Sequence, residues 1–300
     1  MTDATLEFEP GTLQKKVIQQ TQHAIDCGAL LSLPTEHEFV EQQGVRFLVR
    51  TLSNLIRKDE AQKQQPTDKP VNPFLPYETD LFVTNLSETH LCLLNKYNVV
   101  DHHILIVTRA FESQEDLLNL QDFIALWACL VEYDGLAFYN GGKEAGASQP
   151  HKHLQLVPYL ISPQDTQIPI EPLLTSHLAS QRQASIAIIP ELPFVHAFTA
   201  IDPAWLNSPS EAAVRTLEQY YALLQAVDLP IDNQEKPKPY NLLMTRRWML
   251  LIPRSQESFT SIQVNSLGFA GALLVRTAEQ MQQLKTMQPF TLLSQVGIPL

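Results

Sequence analysis

His151, His153 and Gln155 stand at i, i+2 and i+4 in Pro150-His-Lys-His-Leu-Gln155. In an extended strand alternate side chains share a face, so this spacing lines up two imidazoles and an amide in one row. Upstream lie Asn140-Gly-Gly142 and Gly146-Ala-Ser-Gln149, a glycine-rich turn whose backbone N–H groups could face an anion. One imidazole of such a row can attack phosphorus while its neighbours hold the phosphate oxygens. A neutral imidazole is nucleophilic near pH 7, its ordinary pKa being about 6.5. The chemistry to expect is nucleotidyl transfer through a covalent enzyme–nucleotide. The competing readings are a metal site or a pair of packed histidines. A metal would want further ligands, and the nearest, His102, His103 and Glu144, show no ligand spacing. Gln155 also suits a phosphate oxygen, through its NH₂ group, better than a cation. No dedicated metal site is expected.

The whole phrase is more specific than its parts. Phe138-Tyr-Asn-Gly-Gly142 followed by Gly146-Ala-Ser-Gln-Pro-His-Lys-His-Leu-Gln155 resembles the signature of the ATP adenylyltransferases, or diadenosine tetraphosphate (Ap4A) phosphorylases, a branch of the histidine-triad superfamily. Asn72-Pro-Phe-Leu-Pro76, Leu94-Asn-Lys-Tyr97, Tyr240-Asn-Leu-Leu-Met-Thr245 and Gly268-Phe-Ala-Gly-Ala-Leu-Leu-Val275 extend the likeness over nearly the whole chain.

That resemblance implies a histidine-triad-like α+β fold, a mainly antiparallel sheet flanked by helices with further C-terminal α+β elements. It also implies AMP transfer: an imidazole attacks the α-phosphorus of Ap4A, ATP leaves, and an oxyanion acceptor, phosphate or sulfate, takes AMP from the histidine. With phosphate the second product is ADP, and the reverse reaction makes Ap4A. By resemblance His153 is the nucleophile and His151 supports it. Gln155 departs from the third histidine of the triad hydrolases. A neutral amide cannot protonate a leaving group, which favours transfer of a good polyphosphate leaving group over hydrolysis. Asn140, Gly146, Ala147, Ser148 and Gln149 would bind the phosphates, where losing one such donor typically costs ~10²–10³ in rate. Lys58, with Arg57 its adjacent rival, would add charge, and Asn95 and Lys96 would contact the adenosine side. Asn241, Thr245, Arg246 and Arg247 form a second polar cluster, and Arg276 follows the residue 268–275 run. Ala272 departs from the larger residue of relatives. Mg²⁺ would enter only as the nucleotide complex, with no tightly bound cofactor, and the family favours a monomer. Three alternatives stay open: a hexose-1-phosphate uridylyltransferase, a triad hydrolase, and a nucleotide-binding sensor without catalysis.

Composition sets the frame. The chain has 300 residues, 44% hydrophobic, enough to bury a substantial core. It divides into residues 1–160, with the motif, and 161–300, completing the nucleotide site, as one compact unit. A net charge of −11 argues against a broad surface for nucleic acid polymers, though not against a local nucleotide site. Cys27, Cys92 and Cys129 are scattered and lack CxxC spacing, which suits a reducing compartment. With no leader-like N-terminus and no apolar run of about 20 residues, a cytoplasmic protein off the membrane is expected.

The positioning elements follow from periodicity. Leu13, Val17, Ile18, Ala24 and Ile25 predict one face of an opening helix. Strands are expected at 45–52, 80–84, 89–97, 102–108, 136–140 and 151–158, and strand character returns over 240–252. The polar stretch 58–73 reads as a mobile loop. Ser113 followed by Asp116 suggests a helix N-terminus, with Leu117, Leu120, Phe123, Ile124, Trp127, Leu130 and Val131 as its core face and no cofactor role for Trp127. Further helices are expected at 211–227 and 277–284. His196 reads as a packed strand histidine.

Overall fold

The computed structural model describes residues 7–52, 72–159, 168–180, 185–230 and 238–300. One eight-stranded sheet, antiparallel throughout, organises them. In spatial order its strands are β3 (Phe82–Asn85), β4 (His90–Leu94), β5 (Ile104–Thr108), β7 (His153–Pro158), β6 (Gly135–Gly141), β9 (Tyr240–Met244), β10 (Trp248–Pro253) and β8 (Ala197–Ala200). Five strands precede residue 160 and three follow it, so both parts of the chain build the same sheet. The fold is α+β, as the resemblance implies.

Strands β4, β5, β9 and β10 are buried along their whole length. Sequences such as Ile104-Leu-Ile-Val-Thr108 are therefore apolar without alternation, because both faces of the sheet are covered. One face packs on three helices: α1 (Leu13–Asp26), α2 (Leu120–Leu130) and α4 (Pro209–Ala226). Leu154 and Leu156 of β7 point to it, as do Ala137 and Tyr139 of β6. The opposite face takes Leu136, Phe138, Val157 and Leu243. Over part of it lies a small sheet in which β2 (Val45–Leu52) pairs antiparallel with β1 (Thr35–Gln42) and parallel with β13 (Ala272–Val275). Helices α3 (Glu171–Ser180), α5 (Ser266–Phe269), α6 (Ala278–Met287) and α7 (Pro289–Val296) and the two-stranded ribbon β11 (Ser258–Phe259) and β12 (Ile262–Gln263) complete this side. No helix of the described residues is long and apolar enough to cross a membrane.

Several expected boundaries shift. Helix α2 starts at Leu120, where the Asn119 side chain accepts from the Gln121 and Asp122 N–H groups and Asp122 caps Asn119 in return. Ser113 and Asp116 instead close a turn. Ile18 and Ile25 lie on the exposed side of α1, whose buried stripe is Leu13, Val17, Thr21 and Ala24. Residues 79–81 form a 3₁₀ turn ahead of β3, and 240–252 is a hairpin rather than one strand. Strand β1 has no clear apolar alternation and the sequence did not reveal it. Trp127 is core, donating to Thr216 Oγ1 at 2.8 Å. His196 is packed, accepting from the Ile189 N–H at 2.8 Å and bonding the Phe194 carbonyl at 2.7 Å. Most of the 58–73 stretch, with Arg57 and Lys58, lies outside the described residues.

Candidate active site

Strand parity places His153 and Gln155 on the sheet face opposite α2, with Phe138 and Asn140 beside them on β6 and Asn241 and Leu243 beyond on β9. Strands β6 and β7 pair only from Gly135↔Pro158 to Phe138↔Gln155. Beyond that point Gln114 fills the gap between them. Its Oε1 accepts from the His153 N–H (2.8 Å), and its Nε2 donates to the carbonyls of Asn140 (2.9 Å) and His153 (3.2 Å). The carbonyl of Gln114 in turn accepts from Tyr139 Oη and from the Gly142 N–H. One buried glutamine thus fixes the main chain of the nucleophile candidate against that of Asn140.

The hydrogen bonds decide the form of each imidazole. His153 Nδ1 lies 2.8 Å from the His151 carbonyl. A carbonyl only accepts, so Nδ1 carries the proton and Nε2 keeps its lone pair. That Nε2 has no hydrogen-bond partner among the described residues. Burial pushes the His153 pKa down to about 4, against the upward pull of the hydrogen bond to the His151 carbonyl. His151 precedes the strand, bridged to Ser113. Its Nε2 donates to the Thr108 carbonyl (2.8 Å), and its Nδ1 accepts from Asn72 Nδ2 (3.0 Å). Burial lowers its pKa as well. Phe74, two residues after Asn72, sits against both rings at 5.5 and 5.3 Å between centroids.

Gln155 is held by a residue that the sequence had offered only as a metal ligand. His103 Nε2 donates to Gln155 Oε1 (3.0 Å), and its Nδ1 accepts from Asn95 Nδ2 (3.1 Å). Burial keeps His103 neutral, its pKa lowered to about 4. Binding of Oε1 leaves the Gln155 NH₂ as the end available to a ligand. Asn95 therefore meets the row through His103, whereas neighbouring Lys96 is ion-paired with Glu78 at the surface. Lys152, between the two histidines, points to the other face. There Asp122 (3.2 Å) and Glu112 (2.8 Å) hold its ammonium, and His90 completes the buried group on Asp122. Those partners hold the Asp122 carboxyl below its ordinary pKa, against the upward push of burial, the largest single effect.

Asn140 Oδ1 accepts from Asn241 Nδ2 (2.9 Å), Ser266 N–H (3.0 Å) and Ser266 Oγ (2.7 Å). Its amide nitrogen is unpartnered among the described residues. The glycine-rich loop beside it turns through a 3₁₀ segment, Lys143–Ala145. Gly146 has φ +88°, and a Cβ there would sit 2.8 Å from the Val264 carbonyl oxygen, so only glycine lets the loop close on that wall. The N–H groups of Gly146 and Ala147 are spent inside the loop, on the Lys143 and Gly142 carbonyls. Those of Ser148 and Gln149 have no partner among the described residues.

The second polar cluster comes apart. Asn241 joins Asn140, but Thr245, Arg246 and Arg247 form the β9–β10 turn at the other end of the sheet. From His153 that is four or more residues of strand, roughly 13 Å or more at about 3.3 Å per residue. Thr245 Oγ1 accepts from the N–H groups of Arg247 and Trp248. Arg246 binds the Leu130 carbonyl and Asp134, and Arg247 binds Glu171. The two arginines line a pocket with Asp134, Tyr159, Pro203 and Leu206. Arg276 is exposed and bonds Gln263. Among the described residues no hydrogen bond or ion pair joins these three arginines to the His153 row. Sequence reasoning also missed Gln114, Asn72, Phe74 and Ser266 as individual residues. Of these, Asn72 and Phe74 lie in a segment that the resemblance had singled out. His23, Cys27 and Asp80 bring potential ligand atoms within 4.8 Å of one another, on an exposed patch at α1, on the helical side of the sheet.

Residues 3–176 match the family model described as the Ap4A phosphorylase N-terminal domain, and residues 190–299 that of the ATP adenylyltransferase C-terminal domain. Diadenosine 5',5'''-P1,P4-tetraphosphate phosphorylase 2 of Saccharomyces cerevisiae is 28% identical over 268 residues, covering 81% of this chain and 80% of that protein. Protein APA1 of the same yeast is 24% identical over 298 residues, covering 90% and 88%. A crystal structure of yeast Ap4A phosphorylase Apa2 in complex with AMP superposes with a TM-score of 0.77 at 24% identity, covering 98% of this chain and 99% of that one.

Proposed function

As the chain belongs to the Ap4A phosphorylase and ATP adenylyltransferase family, we propose that its site carries out reversible phosphorolysis of Ap4A to ATP and ADP through His153. The enzyme is a nucleotidyltransferase. The observation that carries the reading is the fixed tautomer of His153, with Nδ1–H on the His151 carbonyl and Nε2 unprotonated and unpartnered among the described residues. Nε2 attacks the α-phosphorus of one adenylyl end, a P–N bond forms, and the P–O bond to the β-phosphate breaks, releasing ATP. The positive charge that develops on the imidazole is shared with the His151 carbonyl. Phosphate then attacks the same phosphorus, the P–N bond breaks, ADP leaves, and His153 returns to its starting form.

The surroundings suit that sequence of steps. The Gln155 NH₂ and the free N–H groups of Ser148 and Gln149 are donors for the phosphate oxygens, as is the Asn140 amide. None of the neutral groups beside His153 can protonate a leaving group, so departure depends on a stable polyphosphate. His103 is itself a neutral imidazole, but its proton is committed to Gln155. Mg²⁺ would act as a partner of the nucleotide, shielding polyphosphate charge, with no carboxylate cage required. The test is product analysis of Ap4A incubated with and without phosphate. Equal amounts of ATP and ADP, formed only with phosphate, are expected. AMP and ATP formed without phosphate would make the protein a hydrolase and overturn the reading.

A further inference from the structure

Arg254 follows β10 and is buried, only 4% exposed. Buried guanidinium groups are ordinarily paired with carboxylates. Here every bond goes to an uncharged oxygen: the carbonyls of Val296 (3.0 Å), Ala145 (3.2 Å), Gln256 (2.8 Å) and Val264 (3.0 Å), a longer one to Glu257 (3.5 Å), and Asn241 Oδ1 (2.6 Å). The Glu257 side chain itself bonds Gln263. No carboxylate lies within ion-pairing distance of Arg254 among the described residues. Burial lowers its pKa to about 9, which leaves it a cation at neutral pH. The hydrogen bonds of the group are satisfied, but its charge has no direct ion pair among the described residues, the Glu257 carboxylate acting on it only through space.

The direction of the bonds around it is informative. Arg254 Nη1 donates to Asn241 Oδ1, and Asn241 Nδ2 donates to Asn140 Oδ1. Both amide dipoles therefore point the same way, each polarising the next, and the series ends at the unpartnered Asn140 NH₂, across the Gln114 bridge from His153. Arg254 also grips both walls of that end of the site, through Ala145 in the glycine-rich loop and Val264 beside Asn265 and Ser266.

Resting on the phosphorolysis reading above, we propose that Arg254 is a positioning residue for polyphosphate, the remote positive charge that a bound phosphate neutralises through Asn241 and Asn140. An anion then adds counter-charge that the direct contacts of Arg254 do not supply, and the neutral nucleoside has no such gain.

Arg254→Gln and Arg254→Lys, each checked for native circular dichroism, are compared with the wild type for binding of ADP and of adenosine by equilibrium titration. Arg254→Gln should weaken ADP about tenfold or more while adenosine changes less than about threefold, and Arg254→Lys should hold both within about threefold. Equal losses of ADP and adenosine would make Arg254 a structural anchor only and overturn the proposal, as would unchanged ADP binding in Arg254→Gln. Should Arg254→Gln fail to fold, Arg254→Lys decides: a selective loss of ADP despite the retained charge overturns the proposal, and retention supports it. A wild type that binds neither ADP nor Ap4A would instead defeat the reading of the site itself.

Discussion

A peptide carbonyl, rather than a second acid or base, fixes the reactive form of His153. Its Nδ1 is committed to the His151 backbone, so the nitrogen facing the site has no proton to lose at neutral pH. Burial reinforces this by holding the pKa near 4, below the ordinary 6.5. Protonation would abolish the nucleophile, so activity is lost only as pH falls through the folded-state value. Phosphorolysis kcat/KM, which reports the free enzyme, should therefore stay level from about pH 8 to about pH 5.5 and show no inflection near 6.5. An inflection at 6.5 that tracks His153 would mean an exposed, ordinary imidazole. The row itself was legible from residues 151, 153 and 155, because period-two spacing is local. The sequence placed Gln155 in the row, but its orientation was not legible. That depends on His103, 52 residues away along the chain, and on Asn95 behind it.

Between elements, the site is a local failure of strand pairing that a side chain repairs. Strands β6 and β7 separate after Phe138↔Gln155, and Gln114 takes over the backbone bonding of His153 and Asn140. Gln114→Met fills similar volume but leaves one buried N–H and two buried carbonyl groups unpaired, a cost of roughly 3–9 kcal/mol at ~1–3 kcal/mol per group. Displacement of the nucleophile should also lower kcat by about 10². Denaturant melts and steady-state kinetics check both, and near-normal kcat with reduced stability would contradict the positioning role. In the loop, Gly146→Ala forces a Cβ at φ +88° against Val264 and Asn265, a strain of about 1–3 kcal/mol. Its KM for Ap4A should rise with its stability reduced, and an unchanged KM would mean the loop does not face the substrate. Nothing at position 114 distinguishes it in sequence, since its partners are main-chain atoms of β6 and β7. Likewise Ser113 and Asp116 looked like a helix cap, but the reciprocal Asn119–Asp122 pair takes that role.

Across the whole molecule, the two parts of the chain share one sheet, and the direction of its strands sorts the charged residues. Thr245, just past the end of β9, lies four positions beyond Asn241, and that length carries them to opposite ends of the sheet. Sequence proximity therefore grouped Asn241 with Arg246 and Arg247, and the hairpin separates them. Arg246→Ala and Arg247→Ala should each leave kcat/KM for Ap4A within about threefold of wild type, since screened charges beyond a Debye length of about 8 Å act weakly. A hundredfold loss in either variant, with stability intact, would show that a substrate reaches the far end of the sheet. The fold class was readable through the family resemblance that the motif carries, together with strand and helix signals in unequal blocks. Strand order was not, since β8, β9 and β10 join that sheet only through long-range pairing.

The most direct measurement is mass spectrometry of enzyme quenched after exposure to Ap4A without phosphate. An AMP adduct on His153, discharged as ADP when phosphate is added and absent in His153→Ala alongside a loss of activity above ~10³-fold, is the result expected. Release of ATP and ADP with no adduct, or an adduct on His151 instead, would contradict covalent transfer through His153.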